Sequence, residues 1–513
     1  MELYPPFFMA HDIGTTGDKA TLWDSVGSLV ASHVAKYATS HPKEGWAEQE
    51  PRDWWLAFVT ATRELMKTAN ISPSEVEAVS FSGQMMGCLP LDRDGEPLHP
   101  AIIWMDTRSI KQAEVIARRI GETDYYRASG LRLSPTWSLP KIMWMRDTKP
   151  EILERAYRFL QAKDFIVAKL TGKFVTDYSD ASLSGALNVK EAEWAFEMLE
   201  ELEVPADKLP EIKPSTFIAG ELGTDMAEYL GLAPGTKVVI GGGDGPCATV
   251  GAGAVEEGVT YNYIGASSWI SVCTSKPLFD RKMRTFNMWH LDPKLFTPAG
   301  TMQMAGGSYE WLRTVMCESE DSISRVLGSS AYEVMNLEAQ NIPPGSGKLL
   351  YLPYLMGERA PWWNPHARGV LLGLSRTHNR GHIIRAVVEG VFFNLKLVLD
   401  AFGEMGYKPE EMRIIGGGAK DRLWREIACN IYGVPLLPSS RPEEATSLGA
   451  AIAAMVADGT LKDFGEANRL VRFTERIEPN ADLVSKYEKM QKLFVKAYTN
   501  LEPIFRDLAD LGL

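Results

Sequence analysis

Both halves of this 513-residue chain open with the same local pattern, a strand, a polar turn containing glycine and a second strand. In the first half the pattern spans residues 7–23 around the turn 12–17, and in the second half it spans residues 259–273 around the turn 265–268. Glycine and small polar residues between two strand-like runs predict a β-hairpin. Two related hairpins predict two domains of related fold, with the boundary near residues 251–258.

Strands alternate with helical segments along both halves. Short apolar runs predict further strands, and periodic apolar segments predict helices; the strands are 75–81, 236–240 and 412–415, and the helices are 50–69, 381–405, 422–432 and 445–457. A helical tail is predicted over residues 480–513. Strands joined by crossover helices indicate an α/β architecture. The length supports two large domains, predicted as residues 1–253 and 254–513.

Composition excludes several classes of partner. The net charge is −12 and no basic stripe is present, so nucleic acid is not expected to bind. The cysteines are scattered and odd in number, which predicts neither a disulfide framework nor a zinc site; they are Cys88, Cys247, Cys273, Cys317 and Cys429. The N-terminal segment lacks the basic and apolar regions of a signal peptide, and no apolar run is long enough to span a bilayer. These features predict a protein of the reducing cytoplasm with no membrane partner.

The stretch 238–247, VVIGGGDGPC, carries the strongest chemical signal. Its apolar start predicts a buried strand, and its three glycines predict a tight turn where a ligand can approach the backbone closely. Asp244 follows at once. A carboxylate at the end of a strand suits a catalytic base, and an aspartate in this position can equally cap the next helix.

The turn 12–17 is a candidate phosphate loop. Amides freed by Gly14 and its neighbours can bind phosphate oxygens, and the hydroxyls of Thr15 and Thr16 can donate further hydrogen bonds. Asp12 can hold Mg²⁺ directly or through water. The loop is not a Walker A motif, since G-x-x-x-x-G-K-[ST] is absent. The alternative is an ordinary hairpin turn.

Two further glycine segments are candidates for binding a nucleotide. A second phosphate loop is formed by Gly265, Ala266 and Ser267, with a simple turn as the alternative. The other segment joins a predicted strand to a predicted helix, which places amides at a helix N-terminus; it consists of Gly416, Gly417, Gly418, Ala419 and Lys420. A dinucleotide fingerprint is disfavoured there because the final glycine of G-x-G-x-x-G is missing.

Two polar segments are candidates for binding the substrate. Gln84 follows the strand 75–81, and Asp106 lies two residues after Trp104. The amide and the carboxylate could fix ligand hydroxyls while the indole forms an apolar wall. The alternatives are a surface ion pair between Asp106 and Arg108, and core packing for the tryptophan. The eight histidines show no metal-ligand spacing.

Taken in order, these segments resemble the FGGY family of carbohydrate kinases, and within it the xylulose kinases. Residues 82–87 and 104–108 are similar to the xylulose kinase pair SGQMHG and WNDTR. The resemblance covers nearly the whole chain; its other segments are 12–16, 141–144, 176–182, 369–389, 416–420 with Trp424, and 444–449.

The resemblance implies two ribonuclease-H-like domains around a cleft, the architecture of actin, hexokinase and heat-shock chaperone ATPases. Sugar would bind mainly to residues 1–253 and ATP mainly to residues 254–513. Asp244 would be the catalytic base, and Asp12 and Asp244 would hold Mg²⁺. The phosphate and glycine segments named above would bind ATP, and the implied sugar contacts are Gln84, Met85, Met86, Trp104, Asp106 and Gly245.

The expected reaction is the ATP- and Mg²⁺-dependent conversion of D-xylulose to D-xylulose 5-phosphate, by an enzyme of xylose metabolism that forms a homodimer. Three departures bear on the sugar and on ATP. Met86 stands where xylulose kinases have histidine, Gly245 where they usually have asparagine, and Ala266-Ser267 where Thr-Ser is frequent. The alternatives are kinases for ribulose, erythritol or gluconate, an actin-like ATPase without a small substrate, and a nicotinamide dehydrogenase.

Overall fold

Two mixed β-sheets, one in each half of the chain, form the framework of the computed structural model, which describes residues 3–511. In the first half the strands are β1 (Phe7–Ile13), β2 (Gly17–Trp23), β3 (Leu29–Lys36), β4 (Glu48–Gln49), β5 (Val76–Gly83), β6 (Leu89–Leu91), β7 (Ala101–Ile102), β8 (Arg158–Leu160), β9 (Val175–Asp177), β10 (Leu187–Asn188), β11 (Glu193–Trp194), β12 (Glu211–Lys213), β13 (Ile218–Glu221), β14 (Lys237–Val239) and β15 (Gly242–Gly243). In the second half they are β16 (Thr260–Ile264), β17 (Ser268–Val272), β18 (Ala299–Met302), β19 (Leu350–Leu352), β20 (Val370–Leu372), β21 (Met412–Ile415) and β22 (Leu436–Pro438).

Helices cover the sheets and connect their strands. In the first half they are α1 (Pro51–Ala69), α2 (Ile110–Arg119), α3 (Glu122–Ser129), α4 (Ser138–Thr148), α5 (Pro150–Arg155), α6 (Ala162–Thr171), α7 (Tyr178–Ser182), α8 (Phe196–Glu201), α9 (Thr224–Leu230) and α10 (Asp244–Gly251). In the second half they are α11 (Gly306–Met316), α12 (Glu318–Leu327), α13 (Ala331–Gln340), α14 (Arg380–Glu404), α15 (Arg422–Tyr432), α16 (Ala445–Asp458) and α17 (Ala481–Asp510).

The two main sheets share a five-strand core topology, to which the first adds the antiparallel strand β13 and the short strand β15. The first has the strand order β13-β14-β5-β1-β2-β3, and the second has the order β18-β17-β16-β21-β22. In each, an antiparallel meander of three strands continues into strands that pair in parallel. The predicted two-domain α/β architecture is therefore confirmed, and so are both hairpins. The boundary between residues 253 and 254 stays a prediction.

The first hairpin turn is shorter than the sequence predicted. Strand β1 continues through Asp12 to Ile13, and β2 begins at Gly17, so Gly14, Thr15 and Thr16 alone form the turn. Asp12 therefore belongs to the strand, where it pairs with Ser82 of β5. This placement gives the carboxylate a defined direction that a mobile turn residue would lack.

Helices α10 and α16 cross in close contact at the junction of the two halves. A Cβ atom added to Gly251 would clash with the carbonyl of Ala445, and one added to Gly449 would clash with the carbonyl of Cys247. The small residues predicted for α16 thus allow two backbones to approach each other. Because α10 begins at Asp244, the contact with α16 holds in place the helix that carries the candidate base.

The helical tail predicted over 480–513 is α17, and residues 512 and 513 lie outside the described residues. Within the described part of the chain, the five cysteines are buried and form no disulfide. No helix among residues 3–511 is both long and apolar enough to cross a membrane.

Candidate active site

Asp244 lies at the point where β15 passes directly into α10. It is the first residue of the helix, and its Oδ1 accepts a hydrogen bond from the Gly245 amide at 2.8 Å. The preceding glycines are required by sterics: Gly241 has φ +64°, and a Cβ there would clash with the Phe81 carbonyl. The predicted strand before Asp244 is confirmed, but the three glycines do not form one tight turn, because Gly242 and Gly243 re-enter the sheet as β15 beside β5. Asp244 does not cap the helix either, since the N-cap residue is Gly243.

Asp12 and Asp244 are brought together by the register of the first sheet. Ser82 of β5 pairs with Asp12 on one side and with Gly242 on the other, so both carboxylates leave the same edge of the sheet. The Ser82 hydroxyl donates a 2.8 Å hydrogen bond to Asp12 Oδ1.

Burial first, and the charge of Asp12 second, raise the pKa of Asp244 to about 7. Burial also raises the pKa of Asp12, and the hydrogen bond from Ser82 and the charge of Lys19 oppose the rise. A carboxyl with a pKa near neutrality can accept a proton under ordinary conditions, which is the property that a general base needs.

The first candidate phosphate loop faces this carboxylate pair. The Gly14 amide donates to the carbonyls of Asp12 and Gly17, each at 3.0 Å, and so closes the turn. Thr15 Oγ1 accepts a 2.8 Å hydrogen bond from the indole of Trp104, while Thr16 is exposed at the tip. The hydroxyls and the tip of the turn can therefore contact a ligand from one side of the cleft.

The second candidate loop lies against the start of α11. The Gly265 amide donates to Ser267 at 2.9 Å, and the carbonyl of Ala266 accepts from Ala305 and Gly307, both at 2.9 Å. Tyr263, at the end of the preceding strand, has its phenol pKa raised by burial and then by the charges of Asp12 and Asp244. The strand that carries this loop therefore reaches the carboxylate pair of the other domain.

The glycine segment 416–420 joins β21 to α15, and the predicted helix over residues 422–432 is confirmed. Within the segment, Gly417–Lys420 form a single 3₁₀ turn that was not predicted. The carboxylate of Asp421 caps α15 by accepting from the Trp424 amide at 3.2 Å, so one of the amides at the helix start is already bound. Gly416 has φ +86° and a Cβ there would clash with the carbonyl of Ile264, so the segment is placed beside the strand that precedes the second loop.

Glu443 connects this glycine segment to the first domain. Its carboxylate pairs with Lys420 at 2.6 Å, and its carbonyl accepts from the ammonium of Lys19 on β2 at 2.8 Å. The three candidate nucleotide segments therefore lie near one another in the folded chain, although they come from distant parts of the sequence.

Gln84 and its two neighbours line the cleft next to the first loop. The Gln84 amide group donates to Gln49 Oε1 at 2.7 Å and to the Gly14 carbonyl at 3.2 Å, and its own Oε1 is buried with no partner among the described residues. Met85 is buried against Gly243, and Met86 is 8% exposed with a left-handed φ of +64°. An unpaired amide oxygen is the feature expected of a residue that accepts from a ligand hydroxyl.

Asp106 is placed differently from its two sequence-based interpretations. It is fully buried, and it accepts from the Arg108 guanidinium at 2.8 and 3.0 Å and from the Ala47 amide at 2.6 Å. The ion pair with Arg108 therefore exists, but it is buried rather than on the surface. Since both carboxylate oxygens accept hydrogen bonds from the protein, direct sugar binding by Asp106 stays a prediction.

Two side chains from the second half, which the motifs did not reveal, complete the sugar side of the cleft. Arg359 holds its guanidinium 5.6 Å from the centre of the Trp104 ring and forms no ion pair in the part of the chain that the structure describes, although the charge of the neighbouring Glu358 acts on it. Met288 lies 3.3 Å from the position that a Cβ of Gly245 would take. Neither residue belongs to a local pattern, so only the three-dimensional arrangement identifies them.

The carboxylate pair also fits a divalent cation. Among residues 3–511 no group of three or more His, Cys, Asp or Glu residues could form a complete metal cage. Mg²⁺ is commonly held by one or two carboxylates together with phosphate oxygens and water. Asp12 and Asp244 are the carboxylates available for such a site, and phosphate oxygens and water would have to supply the other ligands.

Comparison with known proteins agrees with this geometry. Residues 7–251 match the N-terminal domain model of the FGGY family of carbohydrate kinases, and residues 260–457 match its C-terminal domain model. A gluconokinase of Bacillus subtilis is 32% identical over 98% of both chains, and a xylulose kinase of the same organism is 30% identical over 96% of this chain and 97% of its own. The crystal structure of a gluconate kinase from Lactobacillus acidophilus superposes with a TM-score of 0.90 at 28% identity, covering 98% of this chain and 99% of that one.

Proposed function

The chain belongs to the FGGY family of carbohydrate kinases, whose members use ATP, and from this premise we propose that Asp244 activates a sugar hydroxyl for phosphoryl transfer. The observation that carries the proposal is the position of Asp244, which lies beside Asp12 at the cleft edge of the sheet and has a pKa of about 7. Asp244 accepts the proton of the hydroxyl whose oxygen attacks the γ-phosphorus.

The two hairpin turns, 14–16 and 265–267, bind the phosphates through backbone amides and hydroxyls, and the segment 416–420 borders the nucleoside. Asp12 and Asp244 hold Mg²⁺, which neutralises charge on the phosphate oxygens when it is bound. Gln84 accepts from a sugar hydroxyl through its unpaired Oε1. The wall formed by Trp104 excludes water from the reacting groups.

For the substrate we propose D-xylulose first. Support comes from the paired segments 82–87 and 104–108 and from a xylulose kinase relative that matches over nearly its full length. Because Met86 and Gly245 stand where xylulose kinases have polar residues, the proposed sugar pocket lacks two polar side chains. The unpaired amide oxygen of Gln84 remains to bind a hydroxyl.

The second candidate is a sugar acid such as gluconate. A specific observation favours it, since the Arg359 guanidinium lies over Trp104 and forms no ion pair among the described residues, with Glu358 as the charge that acts on it. A substrate carboxylate would supply an ion-pair partner, and a guanidinium binds a carboxylate through two parallel hydrogen bonds. A gluconokinase is among the relatives with the higher identity.

A coupled ADP-release assay separates the candidates. The protein is tested with Mg²⁺-ATP and a panel of ketoses, polyols and sugar acids, with the Asp244→Asn variant as the inactive control. D-xylulose with the highest kcat/KM supports the first candidate. Gluconate with the highest value, lost by about 100-fold or more in Arg359→Gln while any ketose activity is kept, supports the second. An ATPase that no member of the panel stimulates contradicts the kinase proposal.

A further inference from the structure

Lys141 is a fully buried lysine whose ammonium group contacts only backbone carbonyls. Its Nζ donates to the carbonyls of Met86 and Ile103 at 2.8 Å and to that of Thr136 at 2.7 Å. These three acceptors match the three protons of an ammonium group. The lysine lies in the first turns of α4, within the segment 141–144 for which the sequence motifs gave no function.

Each acceptor belongs to a different segment of the sugar side of the cleft. Met86 follows Gln84 and Met85, Ile103 directly precedes Trp104, and Thr136 lies in the loop that leads into α4. One side chain therefore binds two loops that carry candidate sugar contacts. The same loops also pair through the backbone of Cys88 and Ile102 at 2.9 and 3.1 Å, so the lysine adds a second link on the side of Met86 and Trp104.

Met86 needs such support more than most residues. Its φ of +64° lies in the left-handed region, which a residue with a Cβ adopts only when the surroundings hold it there. The hydrogen bond from Lys141 to its carbonyl fixes the orientation of the peptide that follows. Consequently the direction of the residue 86 side chain, at a position where this chain departs from xylulose kinases, depends on the lysine.

Burying the charged amine of Lys141 costs free energy of desolvation, whereas burying an apolar side chain would not. Burial lowers the pKa of its ammonium to about 7, and the nearby charge of Asp106 opposes the change. Removing the amine would take the ammonium donor from the carbonyls of Met86 and Thr136, while the Ile103 carbonyl would keep the Asp106 amide at 3.1 Å. The loop positions and the lysine are therefore linked energetically.

We propose that Lys141 is the positioning residue of the sugar pocket, fastening the loops that carry Gln84 and Trp104 so that its loss weakens sugar binding selectively. The proposal rests on the sugar kinase function proposed above. Since all three ammonium protons are used by carbonyls, the lysine takes no part in proton transfer to the substrate.

The test compares Lys141→Met with the wild-type protein. We expect the KM for the best sugar to rise about tenfold or more, with the KM for ATP within about twofold and kcat changed less than the sugar KM. Lys208→Met is the matched control, because Lys208 also donates to two backbone carbonyls, those of Glu154 at 3.2 Å and Ala156 at 2.6 Å, far from the cleft. The control should leave both KM values unchanged.

Two further measurements keep the test decisive. Hydrogen exchange of the ligand-free protein should be faster in segments 84–88 and 102–107 of Lys141→Met, and unchanged in strand β1. In a Met86→Gly background, where glycine adopts the left-handed conformation without strain, the loss of Lys141 should raise the sugar KM by a smaller factor than in the wild type.

The outcomes separate this proposal from the proposed function. If the wild-type protein phosphorylates no sugar, the kinase proposal fails, and exchange in the two segments still decides whether Lys141 fastens the loops. Unchanged exchange and an unchanged sugar KM in Lys141→Met would overturn the inference. An equal loss of affinity for sugar and ATP, or faster exchange throughout the domain, would also overturn it, since it would indicate a general structural role.

Discussion

Asp12 lies on β1 and Asp244 directly follows β15, the two strands that flank Ser82 of β5, and the charge of Asp12 is the second cause, after burial, of the raised pKa of Asp244. The geometry therefore couples the candidate metal ligand to the candidate base. A cation bound between the two carboxylates would relieve this repulsion and favour the ionised form of Asp244. Readiness for proton abstraction would then depend on whether the nucleotide site is filled.

The first prediction concerns the base itself. Asp244→Asn should lower kcat by a factor on the order of 100 or more, because the amide cannot accept the hydroxyl proton, while the KM for ATP stays nearly unchanged. Steady-state kinetics with both substrates measure this. Turnover close to that of the wild type would show that another group removes the proton.

The same substitution should stabilise the ligand-free protein at alkaline pH. The raised pKa of Asp244 means that the folded state binds its proton more tightly than the unfolded state. This contribution to stability is complete below pH ~4 and is lost as pH rises through about 7. An asparagine does not titrate, so Asp244→Asn does not lose this stability as the pH rises. Its melting temperature should therefore exceed that of the wild type at pH 8 and approach it at pH 5. Calorimetry at the two pH values checks the sign.

A second prediction follows from the coupling to Asp12. In the wild type, kcat/KM should rise with pH through about 7, as Asp244 of the free enzyme loses its proton. Removing the neighbouring negative charge in Asp12→Asn should move this rising limb to lower pH, while overall activity falls because a Mg²⁺ ligand is lost. The pH profile of each variant gives the position of the limb. A limb shifted to higher pH would contradict the assigned interaction.

The third prediction concerns the hydrogen bond that holds Gly243, the residue before Asp244, in place. Ser179 Oγ accepts a 3.0 Å hydrogen bond from the Gly243 amide and donates to Asp177 Oδ2 at 2.5 Å. Asp177 also pairs with the buried Lys163 at 2.9 Å. Ser179→Ala should therefore lower kcat about tenfold with small changes in both KM values, since it releases the residue before Asp244.

Ser215→Ala is the matched control for this variant. Ser215 donates to the same Asp177 oxygen at 2.8 Å but does not touch Gly243. If the two variants lower kcat equally, the effect comes from the buried ion cluster as a whole rather than from the contact with the Gly243 amide.

The fourth prediction tests the crossing of α10 and α16. Gly449→Ala places a methyl group against the Cys247 carbonyl, so the helices must separate. We expect a free energy of unfolding lower by about 1–3 kcal/mol, and a lower kcat because α10 starts at the base. Gly403→Ala in α14 is the control: a Cβ there would lie 3.5 Å from the flexible Lys408 side chain, and alanine favours the helix. Denaturant unfolding of both variants measures the difference.

Local sequence signals predicted the sheet framework and the residues at its edge. The hairpins, the strand before Asp244 and the helix Arg422–Tyr432 follow from short apolar periods and glycine turns that do not need distant contacts. Asp12 and Asp244 were found from local patterns, since each carboxylate stands beside glycines at the end of an apolar run.

Features that depend on distant segments could not be predicted in this way. The Asp106 carboxylate is occupied by the Ala47 amide from 59 positions earlier, and Met288 reaches Gly245 from the other half of the chain. Asp421 caps α15 only because the helix begins at the next residue. The first residue of a helix is harder to predict from sequence than the helix itself. Arg359 carries no local motif at all, since its significance is its position over Trp104 without an ion pair among the described residues.

The last prediction concerns the two residues that distinguish this pocket from that of a xylulose kinase. Introducing the polar residues as Met86→His with Gly245→Asn would raise kcat/KM for D-xylulose if space were available, since each hydrogen bond contributes about 1 kcal/mol. The structure changes this expectation at one position: Met288 Sδ lies 3.3 Å from the added Cβ, so the rest of an asparagine side chain must displace the methionine. Met86→His alone should therefore raise kcat/KM for D-xylulose, the double variant should lose part of the gain, and Met288→Ala added to the double variant should restore it. The KM for ATP should stay nearly constant across the series. A gain for gluconate instead of D-xylulose, or a change in the KM for ATP without a change in sugar preference, would show that residues 86 and 245 do not form the ketose side of the pocket.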